Sequence, residues 1–98
     1  MKTRVHVSPQ VIASVESLAP EPRRKLTRAI KALAGDRGDV KPLEGKLEGY
    51  SRLRVSGHRV IFREVFGSGA RHMDCVFAEK RSIIYDLFVQ LTAEELGQ

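Results

Sequence analysis

The sequence predicts a single α+β domain in which an N-terminal strand and a helical pair pack on one face of an antiparallel sheet. Three observations lead there. Apolar residues recur at helical spacing in two adjacent segments before Gly35. Three strand-like segments separated by short glycine turns follow Gly49. Arginines then collect on one side of the first two of those strands. The expected order is β-α-α-β-β-β-α.

Thr3 to Val7 alternates polar and apolar residues and predicts a short first strand suited to a sheet edge. Ser8-Pro9 is a helix start, because the serine hydroxyl can cap free amides and proline is tolerated in the first turn. Val11, Ile12, Val15 and Leu18 form the first apolar stripe. After the break Ala19-Pro20-Glu21-Pro22, a second helix is expected over Arg24 to Leu33, with the stripe Leu26, Ala29, Ile30 and Leu33 stopped by Gly35. Asp36 to Gly49 is rich in Gly, Pro and charge and reads as a connector. Strands are then predicted over Tyr50 to Val55, Arg59 to Phe66 and Arg71 to Ala78, turned by Ser56-Gly57 and Gly67-Ser68-Gly69. Ile84, Leu87, Phe88 and Leu91 make a last helical stripe.

Composition bounds the rest. Ninety-eight residues with 42% hydrophobic content support one modest core, so residues 1–98 form one domain. Seventeen Lys and Arg against 12 Asp and Glu give a net charge of +5, which favours nucleic acid or an acidic protein as partner. The single Cys75 excludes an internal disulfide, and His and Cys show no paired metal-ligand spacing, so neither a structural metal nor a cofactor is expected. No run approaches a membrane span, and the N-terminus leads into an alternating segment instead of a signal-peptide core; the cytoplasm is the expected address.

The hairpin Tyr50 to Phe62 carries the strongest functional signal. With Ser56-Gly57 as a two-residue turn, Arg54 lies opposite Arg59, and Arg52 and Arg63 project from the same side, while Leu53, Val55, Val60 and Phe62 fill the other. Like charges opposite one another weaken a sheet, which points to an anionic partner such as a phosphodiester backbone; the alternative is an ordinary solvated sheet face. Arg81 and Tyr85, four apart, share a helical face, either in a site or as a packed tyrosine with a snorkelling arginine. His58 and His72 are candidate proton-transfer groups by residue type, but His58 falls on the Leu53 side. Cys75 alternates in phase with Met73 and Phe77 and reads as core.

Pro42-Leu43-Glu44-Gly45, Tyr50-Ser51-Arg52-Leu53-Arg54-Val55, Gly57-His58-Arg59-Val60-Ile61-Phe62 and Lys80-Arg81-Ser82-Ile83-Ile84-Tyr85 together resemble the RelE/ParE superfamily of bacterial toxins from type II toxin–antitoxin systems. The resemblance spans most of the chain. It implies either a RelE-like, ribosome-dependent endoribonuclease that cuts messenger RNA without metal, or a ParE-like inhibitor of DNA gyrase without nuclease chemistry. A third possibility is an inactive relative that persists as a binding module. It also implies a cognate antitoxin as partner. Carried over residue by residue, Arg59, Arg81 and Tyr85 take catalytic roles. Arg52, Arg54, Arg63 and Lys80 contact RNA phosphates, with Lys80 the alternative to Arg81 as acid.

Overall fold

The computed structural model describes residues 2–80 and 88–90. Strand β1 (Lys2–Val7) leads into helices α1 (Pro9–Glu16) and α2 (Pro20–Ala32), and four strands follow: β2 (Asp39–Pro42), β3 (Ser51–Val55), β4 (His58–Gly67) and β5 (Ala70–Lys80). They make one sheet in the order β1-β5-β4-β3-β2. The sheet is mixed: β1 runs parallel to β5, and all other neighbours are antiparallel.

Local chemistry explains the helices. Ser8 caps α1, its hydroxyl accepting from the Val11 amide at 3.2 Å, and Pro9 occupies the first turn. Helix α2 starts at Pro20, earlier than Arg24, because prolines in the first turn give up only amides that have no intrahelical partner. The turn before it is fastened by Arg23, whose guanidinium donates to the Leu18 carbonyl at 2.9 and 3.3 Å. Val11, Leu26, Ile30 and Leu33 bury their side chains against Leu53, Val55, Val60, Phe62, Met73, Cys75 and Ala78 of the sheet. Ile12 departs from its expected place in the stripe. It is exposed, beside an apolar groove of about 310 Å³ between β1 and the two helices.

Strand β5 carries the main irregularity. Ile61 pairs with Phe77 and Phe62 with Cys75, so Val76 has no partner across the ladder and forms a bulge. The backbone at the bulge is satisfied from α1. The Ser8 hydroxyl donates to the Val76 carbonyl at 3.0 Å, and the Gln10 side-chain amide both donates to and accepts from the Ala78 backbone at 2.8 Å. The bulge shifts the alternation by one residue. Phe77 therefore leaves the side of Met73 and Cys75, where simple alternation placed it, and joins Leu47, Ile61 and Phe88 in a second apolar cluster on the opposite sheet face.

Two further differences from the sequence reading concern the connector and the C-terminus. Asp39–Pro42 is an exposed edge strand paired with β3, and Gly45–Leu47 is a short 3₁₀ turn that delivers Leu47 to the second cluster. Gly38 makes the entry to β2 possible: its φ is +122°, and an added Cβ would lie 2.8 Å from Leu53 Cδ1. Of the C-terminal stripe, Phe88 is buried and residues 88–90 are helical. Ile84, Leu87 and Leu91 lie outside the described residues.

On the helix side, Arg71 ties the end of the helical pair to the sheet. It donates to both Asp36 carboxylate oxygens at 2.9 and 3.1 Å, to Glu64 at 3.1 Å and to the Thr3 hydroxyl at 3.1 Å. Its pKa is raised, chiefly by the hydrogen bond to Asp36; burial opposes this, and the Asp36 and Glu64 charges add to the rise. Burial, reinforced by the neighbouring Asp74 charge, pushes the Cys75 thiol up from its ordinary 9.0 to about 12.

Three expected outcomes follow from this packing. Gln10→Ala strands the backbone polar groups of Ala78 and lowers stability by about 1–3 kcal/mol in urea unfolding. Gly38→Ala combines a strained φ with the close approach to Leu53 and costs about 1 kcal/mol or more; an unchanged midpoint would refute the account of the β2 entry. Cys75 keeps its proton in the folded chain after an unfolded thiol loses it. Its contribution to stability is therefore complete below pH 9 and is lost as pH rises towards about 12. A thiol-specific reagent at pH 8 should label Cys75 only after denaturation, and rapid labelling of the folded chain would contradict this picture.

Candidate functional site

The candidate site is the sheet face turned away from the helices, at the end where β3 and β4 join. The Ser56-Gly57 turn sets the register, with Ser56 at a left-handed φ of 54°. Val55 then pairs with His58 and Arg54 with Arg59, so both arginines stand on the outer face, and Arg52 follows two residues away opposite Ile61. The arginines are not alone there. Ile61 is fully buried on the same face beneath the second cluster, where Phe88 meets Tyr50 edge-on at 5.0 Å and Phe77 at 5.8 Å. The outer face is thus apolar at its centre and basic towards the hairpin turn.

The three arginines differ in how firmly they are held. Arg59 is buried, and its Nη1 donates to the carbonyls of Ser56 and His58, both at 2.9 Å. Among the described residues no carboxylate is within ion-pair distance of it; Glu79 is its partner in the ladder. A buried cation held by carbonyl dipoles keeps its full charge for any anion that reaches it. Arg52 is partly buried and donates from Nη1 to the Asp39 carbonyl at 3.2 Å and to Asp39 Oδ1 at 3.4 Å. Arg54 is more than half exposed, and its Nε lies 3.0 Å from Asp39 Oδ2. A single carboxylate on the edge strand therefore bridges two arginines of the cluster. Beside Arg52, a shallow pocket of about 280 Å³ is lined by Lys41, Pro42, Leu43 and Glu44.

The remaining sequence candidates lie elsewhere. Arg63 shares the outer face, but Ile61 stands between it and Arg59, about 13 Å along the strand, and its ladder partner is Asp74. Lys80 pairs with His58, on the helix side by alternation, because the bulge shifts the phase of β5 by one residue and puts Glu79 opposite Arg59. Arg81 and Tyr85 lie outside the described residues. His72 pairs with Val65, about 20 Å along β4 from Arg59, and meets His6, with Nε2 of one 2.8 Å from Nδ1 of the other.

Three features escaped the sequence reading. Asp39 sits in the segment taken for a connector, and no local pattern links it to residues fifteen positions on. Tyr50 stands on the arginine face two residues before Arg52, which alternation alone could have shown. The third is a basic row on α2. Arg24, Arg28 and Lys31 follow each other at helical spacing on its exposed side, and Lys25 Nζ donates to the Ser56 hydroxyl at the hairpin tip at 2.7 Å. Positive charge thus continues from the hairpin around to the helices.

No protein-family model matches this sequence, and no curated protein sequence does either. Solved structures do. A chain of the toxin–antitoxin complex RelBE2 from Mycobacterium tuberculosis is similar with a TM-score of 0.67 and 17% identity, over 83% of this chain and 100% of that one. The YoeB/ParE toxin from Agrobacterium tumefaciens gives 0.64 and 20% identity, over 80% of this chain and 98% of that one. A chain of the archaeal RelE–RelB complex from Pyrococcus horikoshii OT3 gives 0.62 and 24%, over 83% and 97%. The chain accordingly shares the fold of these solved toxin and RelE–RelB structures.

Proposed function

We propose that this chain is the toxin of a type II toxin–antitoxin pair and acts as a ribosome-dependent endoribonuclease on messenger RNA, held in check by a cognate antitoxin. The observation that carries the reading is Arg59, buried, held by two carbonyls and standing opposite Arg54 on the outer face of a sheet with this fold. The similar structures from Mycobacterium and Pyrococcus are toxin–antitoxin complexes, which supports the antitoxin as partner.

The reaction is attack of the RNA 2′-oxygen on the adjacent phosphorus. A 2′-O–P bond forms and the P–O5′ bond breaks, leaving a 2′,3′-cyclic phosphate and a free 5′-hydroxyl. Arg59, with Arg52 and Arg54, offsets the extra negative charge of the pentacoordinate transition state. Loss of one such donor costs about 3–4 kcal/mol in other enzymes. Tyr85 takes or orients the 2′-proton, and Arg81 serves the departing O5′. A phenol is a weak base at neutral pH, so ribosomal positioning of the message carries a large part of the acceleration. Arg63 extends phosphate contact along β4.

A second reading is a ParE-like inhibitor of DNA gyrase. One observation favours it: Asp39 already neutralises part of the arginine cluster. Induced expression of wild type, Arg59→Ala and Tyr85→Phe, with primer extension on a translated message, separates the two. The nuclease reading predicts cuts in translated codons that fall by about 10²–10³-fold in the arginine variant and by about 10²-fold or more in the tyrosine variant. Growth arrest without cuts would transfer the assignment to gyrase, and no arrest would leave an inactive binding module.

A further inference from the structure

We propose that Asp39 is a built-in competitor for phosphate, occupying Arg52 and Arg54 until a phosphodiester displaces it, and so sets how strong a polyanion must be to engage the site. This rests on the reading of the arginine face as an RNA surface. The geometry is that of a bound anion. The two carboxylate oxygens are divided between two arginines, Oδ2 at 3.0 Å from Arg54 Nε and Oδ1 at 3.4 Å from Arg52 Nη1, as two non-bridging phosphate oxygens would be.

Asp39 is also placed where exchange is easy. It lies on the short edge strand β2, directly opposite Arg54 in the ladder, and its side chain is half exposed, as is that of Arg54. Exposed ion pairs of this kind contribute about 0–1 kcal/mol, so an incoming phosphate has little to overcome. The carboxylate is nevertheless held in position. Gly38 at φ +122° packs on Leu53 and fixes the start of β2, which keeps Asp39 over the arginines.

The two arginines respond differently to displacement. Arg52 remains tethered, since its Nη1 also donates to the Asp39 backbone carbonyl at 3.2 Å, whereas the Asp39 carboxylate is the ion-pair partner that Arg54 has among the described residues. Exchange therefore frees Arg54 above all. An isolated phosphate gains only what the carboxylate already supplies. A nucleic acid strand that also reaches Arg59 and Lys41 gains more and displaces it, so the exchange selects for extended polyanions over single ions.

The test uses the full chain and a fluorescein-labelled 2′-O-methyl RNA decamer, which lacks the 2′-hydroxyl and stays intact. Anisotropy titrations across a salt series compare wild type, Asp39→Asn, Arg54→Ala and the double variant. Asp39→Asn is expected to bind about three- to tenfold more tightly, with a salt slope steeper by about 0.7, and Arg54→Ala to abolish the gain. In wild type, the carbon shift of the Asp39 carboxyl should move as the decamer is added, a readout that needs no variant. If Asp39→Asn binds equally or more weakly while Arg54→Ala weakens wild type, Asp39 is a positioning residue and the competitor role is overturned, with the RNA surface intact. If neither substitution changes binding, both the competitor role and this arginine pair as an RNA surface are overturned.

Discussion

The fold and the candidate site both depend on one irregularity, the bulge at Val76. Strand β5 must contribute to two apolar clusters on opposite sheet faces, and strict alternation would place Met73, Cys75 and Phe77 in the same one. The extra residue resolves this. Phe77 turns to the outer face, where it covers Ile61 with Phe88, while Ala78 takes the small place left beneath the helices opposite Val60. Ser8 and Gln10 supply the hydrogen bonds that the interrupted ladder cannot, which couples the entry of α1 to the phase of β5. The same shift puts Glu79 opposite Arg59 and moves Lys80 off the arginine face.

Stability and charge are thereby separated in space. Most of the buried apolar surface lies between the helices and one sheet face, so the other face can hold a cluster that weakens the sheet locally. The second cluster is small, but it changes the electrostatics of its border. Arg59 loses water there and receives two carbonyl oxygens in its place, and a desolvated cation interacts more strongly with an arriving anion than a solvated one.

How far the sequence was legible follows from what each element buries. The helices, β3 and β4 announce themselves because Val11, Leu26, Ile30, Leu53, Val60 and Phe62 fall at the period of their element and meet in one core. The hairpin register, with Arg54 across from Arg59, follows from a two-residue turn and holds. Strand β2 was read as a connector because its four residues are all exposed and show no apolar alternation; its existence depends on the ladder to β3 and on Asp39. The bulge was invisible for a related reason. Nothing in Cys75-Val76-Phe77 marks it locally, since its backbone partners, Ser8 and Gln10, come from the other end of the chain.

The arginine cluster is graded, and the gradation has a consequence for recognition. Arg59 is buried and held by two main-chain carbonyls, Arg52 is tethered through one, and Arg54 is exposed and paired with a carboxylate on an edge strand. A preorganised donor stabilises charge without reorganising, whereas a mobile one adapts to a ligand at the expense of side-chain entropy. The face thus offers a fixed point of charge with an adaptable one opposite it. Among the described residues the basic row on α2 has no ion-pair partner, and it runs from Arg24 to Lys31 in the last turn with like charges at helical spacing. Neither feature stabilises the isolated chain. Their joint presence, linked through Lys25 and the hairpin tip, is what the polyanionic partner proposed above would require if it reached around the end of the sheet.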